Sequence, residues 1–380
     1  MHAPLSPAYR VEWRGLSALA SLTDEWRALS ARALESNVFY EPAFMLAAAP
    51  VFGTDAGAML VRSETGRLIG LFPARIERWR HGPAAIAVGW THPYAPLGTP
   101  LVDRSQAEPV IAAWLDHLGR DPSMPALLLM PFLPEQGAFA TALDRVLADG
   151  ERRRAAFGRH RRALLEPGAQ REGYLDRSLS AGKRKELRRL RRRLEDTGRV
   201  TTNTAEGAQD VAAALQDFLV LEASGWKGMA GTAAVNDPAI RNFMETAVAA
   251  LASEGKARVD RLLLNGRAIA ATITFTSGNT AWCWKIAYSE GVARFSPGVQ
   301  LAVDLTERLL ADAGIERVDS CATADHPMID HLWRERMMLS DRLIELKPSL
   351  MPFALTCRIE MLRRSAIAAA KAVRDRLRGG

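Results

Sequence analysis

The sequence is poor in cysteine. Cys283, Cys321 and Cys357 are scattered along 380 residues, and no Cys-x-x-Cys pair occurs. This spacing excludes a disulfide framework and a cysteine-based zinc site, and it fits a protein of a reducing compartment. None of the three lies in a recognisable nucleophile setting, so we expect buried structural thiols.

Long apolar runs are missing as well. No stretch of about 18 consecutive apolar residues is present, so no membrane span is predicted. The first residues lack the charged and apolar regions of a secretory signal peptide. A hydrophobic content of 48% is normal for a globular protein, and the length suggests two or three domains at roughly 150 residues each. We therefore expect a cytoplasmic protein.

Several common catalytic motifs are absent. The chain contains no G-x-S-x-G elbow, Walker A loop, G-x-G-x-x-G loop or H-E-x-x-H pair. His326 and His331 are five positions apart with Pro327 between them, a poor arrangement for one metal. These absences argue against a hydrolase, a nucleotidase or a metalloenzyme, and no metal cofactor is expected.

Positive charge is concentrated in one segment. Residues 151–199 hold 17 Lys or Arg and 7 Asp or Glu, a net charge of +10, whereas the whole chain carries +7 and the remainder −3. A helix is predicted over 174–198, with Leu179, Leu187, Leu190 and Leu194 on one stripe and basic residues between Lys183 and Arg193 on the other faces. Two interpretations remain open. The helix is either a solvated amphipathic helix, or it faces an anionic partner such as nucleic acid, a membrane surface or a phosphorylated substrate.

A strand, a loop and a helix follow one another between residues 281 and 314. The apolar, aromatic run 281–288 predicts a strand, and the loop after it ends in Ser296-Pro297-Gly298. A helix with an apolar face then continues to a stop at Gly314. Free N–H groups and the dipole at its N-terminus would favour a phosphate, and Gly298 permits close approach.

The two halves of the chain share an order of elements. A hairpin is predicted around Gly66 and another around Asn265-Gly266, each followed by a strand, a loop and a helix. Gly66 and Gly98 are separated by the same number of residues as Gly266 and Gly298. The repetition predicts two related domains produced by duplication.

Seven stretches together resemble a known family: FYEPAFM (39–45), YAPLGTPLVD (94–103), GKRKELRRLRRRLEDTG (182–198), LEASGWKGMAGTA (221–233), LLLNGRAIAATITF (262–275), WKIAYSEGVARFSPG (284–298) and HPMIDHLWRER (326–336). They resemble the GNAT acyltransferase superfamily, specifically its CelD branch, named for cellulose biosynthesis and related to the Fem-type aminoacyltransferases. The resemblance implies an α/β (α+β) fold of two tandem GNAT-like domains, each a mixed, mostly antiparallel sheet flanked by helices. The expected boundaries are 1–165 for the first domain, 166–350 for the acyl-CoA-binding domain and 351–380 for a basic amphipathic C-terminal helix.

The same resemblance implies a cofactor site for acetyl-CoA or another acyl-CoA. The strand around Trp284 and Ile286 would offer backbone groups to the pantetheine. The pyrophosphate would lie against Arg294, Ser296, Pro297, Gly298, Val299 and Gln300. This loop departs from the usual GNAT pattern, in which Arg or Gln precedes x-x-Gly-x-Gly or Ala, since only Arg294 and Gly298 match it.

Acyl transfer to an amine requires a neutral amine and an acceptor for its proton. The candidate catalytic residues are His326, Lys285, Tyr288 and Asp319. His326 is either the base or a surface residue that caps a loop. Lys285 lies within an apolar strand and needs a partner or an open cleft. Tyr288 either reprotonates the CoA thiolate or packs in the core, and Asp319 would orient His326 or Lys285.

Trp226 and Lys227 follow a helix as an aromatic and cationic pair. They are candidate substrate-binding residues, with core packing as the alternative for Trp226.

The expected function is an N-acyltransferase that moves an acyl group from acyl-CoA to a small-molecule, saccharide or peptide amine, with polysaccharide or envelope synthesis implied by the resemblance alone. Two alternatives remain. One is a Fem-like aminoacyltransferase that takes its group from tRNA through the basic helix, and the other is a non-catalytic scaffold in exopolysaccharide production. The C-terminal helix would cover a sheet edge, mediate self-association, or lie on the inner membrane.

Overall fold

A computed structural model describes residues 9–78, 85–225, 231, 233–349 and 351–378. The strands are β1 (Arg10–Gly15), β2 (Ala56–Arg62), β3 (Leu68–Arg78), β4 (Ala85–Gly89), β5 (Leu101–Val102), β6 (Leu127–Pro134), β7 (Arg154–Leu165), β8 (Val200–Ala205), β9 (Ala257–Leu264), β10 (Arg267–Ser277), β11 (Thr280–Tyr288), β12 (Arg317–Asp319) and β13 (Glu335–Glu345).

The helices flank these strands. They are α1 (Thr23–Ala31), α2 (Pro42–Phe52), α3 (Ala107–Arg120), α4 (Ala138–Asp149), α5 (Tyr174–Ser178), α6 (Ala181–Glu195), α7 (Ala208–Ser224), α8 (Pro238–Ser253), α9 (Pro297–Ala311), α10 (Ile329–Leu332) and α11 (Phe353–Arg378). Within the described part of the chain, no helix is both long and apolar enough to cross a lipid bilayer.

One continuous mixed sheet runs through both halves of the chain. Its strand order is β1-β2-β3-β4-β6-β13-β7-β12-β11-β10-β9-β8, and β5 pairs with β3. Most neighbours are antiparallel, but β4 pairs with β6 and β11 pairs with β12 in parallel. Each edge of the sheet begins with the same series of five strands. From one edge the series is β1-β2-β3-β4-β6, and from the other it is β8-β9-β10-β11-β12; in both, only the last two strands are parallel.

The last strand of each half is exchanged between the halves. β13, near the end of the chain, pairs with β6 of the first half, whereas β7 pairs with β12 of the second half. β7 and β13 also pair with each other along most of their length. The sheet therefore cannot be cut after residue 165 without breaking strand pairs, although the predicted boundary does fall between β7 and α5.

Both predicted hairpins are present. Gly66 has φ of 81° in the turn before β3, and Asn265 and Gly266 have φ of 51° and 79° between β9 and β10. Positive φ at two successive positions is the geometry of the tight turn that favours Asn-Gly. The two turns fix the pairing register of β2 with β3 and of β9 with β10, the corresponding hairpins of the predicted repeat.

The two halves are joined by a buried core and a buried charge cluster. Phe44 of α2 packs edge-to-face against Phe243 of α8, with ring centroids 5.5 Å apart. Glu41, only 1% exposed, accepts a hydrogen bond from Lys256 Nζ at 2.5 Å and another from the Ser277 hydroxyl. Because these contacts join distant segments, packing fixes how the halves meet.

The helix predicted over 174–198 is interrupted. The chain leaves α5 at Ser178, and Ser180 restarts the helix by accepting a hydrogen bond from the N–H of Lys183 at 3.2 Å. Leu179, Leu187 and Leu194 are buried, as the stripe predicts. A Ser N-cap favours a new helix start, which is why one continuous helix does not form.

Candidate functional site

A cavity lies beside β11, beyond the point where its parallel neighbour β12 ends. Their parallel pairing extends only from Thr280–Arg317 to Trp282–Asp319, whereas β11 continues to Tyr288. The cavity has a volume of about 700 Å³ and reaches the start of α9. Nine predicted site residues line it: Trp284, Lys285, Ile286, Tyr288, Ser296, Pro297, Gly298, Val299 and His326.

A bulge lies in β11 beside this cavity. Ile273 of β10 pairs with Lys285, but Thr274 pairs with Cys283, so Trp284 has no opposite residue. A bulge bends a strand and redirects its side chains. The bulge is consistent with the contacts of Trp284 and Lys285, two successive residues that both reach Tyr94 in the first half of the chain.

The N-terminus of α9 forms one end of the cavity. Ser296 adopts the left-handed conformation, with φ of 53°, and its side chain does not cap the helix. Pro297 occupies the first turn, where the lack of an N–H costs no hydrogen bond. The N–H groups of the first turn and the helix dipole thus make this end suited to an anion.

Gly298 brings the backbone of α9 against the ring of Tyr288. A Cβ at position 298 would lie 3.1 Å from Cδ1 of Tyr288, closer than an ordinary contact. Gly298 is buried, and Tyr288 is 36% exposed. The absence of a side chain at Gly298 therefore makes room for the Tyr288 ring, which borders the helix end.

Lys285 is held by aromatic rings. Its Nζ lies 3.9 Å from the centroid of the Tyr94 ring and 5.9 Å from that of Trp284. The indole N–H of Trp284 donates to the carbonyl of Tyr94 at 2.8 Å. These cation–π contacts hold the Lys285 ammonium in place at the cavity.

Tyr94 belongs to the first half of the chain and was not among the predicted site residues. Burial raises the pKa of its phenol to about 12, so the hydroxyl stays protonated. The Pro- and Gly-containing stretch 93–100 marks an irregular loop, and this is the signal that could have identified it. Tyr94 does not line the cavity itself, but it contacts the lining residues Lys285 and Trp284 from the first half of the chain.

His326 lies at the other wall of the cavity, half-buried. Burial lowers the pKa of its imidazole, and the nearby Asp330 carboxylate offsets part of that effect. Its Nδ1 accepts a long hydrogen bond of 3.4 Å from the N–H of Met328, which assigns the proton of the neutral ring to Nε2. His326 is therefore neutral near pH 7 and offers a hydrogen-bond donor in this tautomer.

Two thiols face the same cavity. Burial raises the pKa of Cys283 to about 12 and that of Cys321 well above its ordinary value. Because the thiolate is the nucleophile, neither group is set up for covalent catalysis. This agrees with the expectation of structural thiols.

Asp319 does not orient His326 or Lys285, contrary to the prediction. Its Oδ2 accepts from Nη1 of Arg162 at 3.0 Å, and its Oδ1 accepts from the N–H of Cys321 at 2.8 Å. Both side chains of this ion pair are almost fully buried, at 2% and 4% exposure. A buried guanidinium requires a counter-charge, which explains why the carboxylate is engaged there.

Two predicted phosphate ligands also have other contacts. The guanidinium of Arg294 lies over the ring of Phe295, 4.8 Å from its centroid, and does not line the cavity. The amide of Gln300 is buried, donates to the carbonyl of Phe295 at 2.8 Å and accepts from Arg191 at 3.3 Å. Gln300 thus holds the loop in shape.

The predicted substrate-binding residues Trp226 and Lys227 lie outside the described residues.

Comparison with known proteins assigns part of the chain. Residues 181–326 match the family described as an acetyltransferase (GNAT) domain. That range extends from the start of α6 to His326 and contains the cavity-lining residues of β11 and α9. This part of the chain is therefore similar to GNAT-type acetyltransferase domains. No sequence among the curated proteins is similar enough to count as a relative.

Three solved structures share the fold over nearly the whole chain. The C-terminal domain of a protein assigned as a lysylphosphatidylglycerol synthetase from Agrobacterium fabrum has 14% identity and a TM-score of 0.56, over 90% of this chain and 95% of that one. FemX has 10% identity and a TM-score of 0.57, over 85% and 95%. A conserved protein of unknown function from Bacteroides thetaiotaomicron has 11% identity and a TM-score of 0.52, over 88% and 99%.

These likenesses concern the fold alone. Together with the sheet order, they confirm the predicted fold class, a mixed α/β architecture whose two halves repeat one strand order in a large sheet flanked by helices. The similarity to a GNAT domain covers residues 181–326 of this fold.

Proposed function

We propose that the protein is an N-acyltransferase that takes an acyl group from acyl-CoA and transfers it to an amine. The observation that carries this proposal is the cavity beside β11, beyond the end of β12, which reaches the uncapped N-terminus of α9. In this proposal the pyrophosphate lies at Gly298 and Val299, and the pantetheine lies along β11. The narrower assignment to the CelD branch, and with it a polysaccharide or envelope amine as acceptor, rests on the resemblance alone.

The reaction can be assigned to the residues of the cavity. The amine nitrogen attacks the thioester carbonyl carbon, the carbon–sulfur bond breaks, and CoA leaves as a thiolate that takes up a proton. The ammonium of Lys285 stabilises negative charge on the carbonyl oxygen, and Nε2–H of His326 is a second donor for it.

The proton lost by the amine passes to solvent through the open side of the cavity. Tyr288 packs on Gly298 at the helix end, so shaping the phosphate site fits its position better than protonating the thiolate.

Release of free CoA thiol tests this proposal. We expect acetyl-CoA to lose its acetyl group only when an amine from a panel of amino sugars and short peptides is present. Lys285→Met should slow that release by about 100- to 1,000-fold, as the loss of an oxyanion donor does. If the protein binds acetyl-CoA but releases no CoA thiol in the presence of any of these amines, the result would contradict catalysis and favour the scaffold role.

A second candidate, transfer of an aminoacyl group from tRNA, is favoured by the position of α6. Arg191 donates to Gln300 and to Asp304 of α9, at 3.3 and 3.4 Å, so the basic helix packs against the helix whose N-terminus ends the cavity. On its outer side Lys185, Arg188 and Arg192 are exposed. An anionic partner could therefore contact α6 and reach the cavity together.

Salt-dependent tRNA binding separates the two candidates. If tRNA is the donor, replacing Lys185, Arg188 and Arg192 by Gln should weaken its binding and lower the salt slope by about 2 to 3, since each neutralised phosphate contact contributes slightly less than 1. Acetyl-CoA binding would be unchanged in this variant. If the wild type and the variant bind tRNA alike, the aminoacyl-tRNA candidate fails.

A further inference from the structure

The helix α11 packs on the sheet by one face only. Phe353, Thr356 and Glu360 are 6%, 1% and 4% exposed, so they form the inner face. Arg364 links the helix to β13 by donating a hydrogen bond to Asp341 at 2.8 Å, and it also donates to Glu360 of the same helix at 2.6 Å. The first three turns of the helix are therefore attached to the body of the protein in a defined orientation.

The opposite face carries an apolar stripe in solvent. We name it the outer stripe: Leu355, Ile359, Leu362, Ala366, Ala369 and Val373. Its members recur at spacings of 4, 3, 4, 3 and 4, which places them on one side of a helix. Leu355, Leu362 and Val373 are 46%, 71% and 55% exposed. Large apolar side chains in a row on a surface mark a binding face.

The charge of the helix is strongly positive. The segment 353–378 contains seven Lys or Arg and two Asp or Glu. One of the two acids, Glu360, is buried and already bonded to Arg363 and Arg364. Arg358 is exposed next to the outer stripe. An apolar stripe bordered by basic residues is the pattern of a helix that lies in the interface of an anionic membrane.

A second copy of the chain fits this face less well. The outer stripe extends over 19 residues, fewer than the three or four heptads that a coiled coil needs, and alanine fills two of its central positions. Pairing of helices also relies on opposite charges beside the seam, whereas this segment has almost only basic residues to offer. Charge complementarity thus favours lipid.

We propose that the outer stripe of α11 docks the protein onto an anionic lipid surface. The helix would lie parallel to the bilayer, with Leu355, Leu362 and Val373 in the headgroup region and its basic residues beside lipid phosphates. The inner face keeps its contacts with the sheet, so docking requires no unfolding. This orientation holds the rest of the protein at the membrane surface.

Flotation of the full chain with lipid vesicles tests the proposal. The probes are vesicles of phosphatidylcholine alone and of phosphatidylcholine with phosphatidylglycerol. We expect binding to the anionic vesicles only, weakened by salt. The Leu362→Glu variant should bind at least about tenfold less, since it loses one large buried apolar side chain. The matched control is Val220→Glu, a change at a 67% exposed position on α7, which should leave binding unaltered.

The outcomes separate the proposal from its alternatives. Selective loss of anionic-vesicle binding in Leu362→Glu supports it, provided that circular dichroism shows both variants folded. Absence of wild-type binding, or equal effects of the two substitutions, overturns it. Conversion of an oligomer to a monomer by Leu362→Glu, with no vesicle binding by the wild type, overturns it in favour of self-association.

Discussion

The Asp319→Ala variant should lose about 3–5 kcal/mol of unfolding free energy, because the substitution leaves the Arg162 guanidinium buried without a counter-charge. Arg162 is 2% exposed, and its other contact is the carbonyl of Pro96 at 2.9 Å. The N–H of Cys321 would also lose its acceptor. Since Pro96 lies in the loop that contains Tyr94, the damage should extend to the wall of the cavity.

Urea denaturation of two matched variants measures this effect. Asp217→Ala is the control, since Asp217 also pairs with an arginine, Arg261, at 2.6 Å but is 42% exposed. An exposed pair of this kind contributes about 0–1 kcal/mol. If the two variants are equally stable, the pair between Arg162 and Asp319 is not the buried support that the structure indicates.

The Gly298→Trp variant should bind acetyl-CoA at least about 100-fold more weakly than the wild type. Any side chain at this position meets the ring of Tyr288 or the space in front of the first turn of α9. Charge-assisted hydrogen bonds from that turn to the pyrophosphate are worth about 1.5–3 kcal/mol each, and an indole would block more than one of them. The loss should appear in donor affinity and leave the fold intact.

Gly298→Ala provides a milder step in the same series. Its single methyl would lie 3.1 Å from the edge of the Tyr288 ring, which can move by a few tenths of an ångström. We expect an intermediate affinity. A graded loss from alanine to tryptophan would identify crowding at the helix end as the cause.

Local patterns in the sequence predicted the parts of the site that are close together in the chain. The apolar run that forms β11, the loop after it and the helix α9 were all recognisable, because strand composition, Pro-Gly and leucine spacing are local signals. The hairpin at Asn265-Gly266 was recognisable for the same reason. Eight of the nine predicted site residues that line the cavity come from the stretch from β11 to α9.

The features of the fold and of the site that the sequence did not predict depend on contacts between distant segments. β7 contains Arg159, Arg161 and Arg162, a charged pattern that does not indicate a strand, and it forms one because β12 and β13 lie beside it. Arg162 and Asp319 are 157 positions apart, so the sequence does not reveal that they pair. Tyr94 contacts Lys285 and Trp284 only because the two halves pack together.

Calorimetric titration with acetyl-CoA tests the proposed donor site most directly. It compares the wild type with Gly298→Trp and with Gly15→Trp, which places the same side chain at an exposed glycine with no atom within 4 Å. We predict micromolar binding by the wild type and by Gly15→Trp, and its loss in Gly298→Trp. Absence of wild-type binding, or unchanged binding by Gly298→Trp, would contradict an acyl-CoA site between β11 and α9.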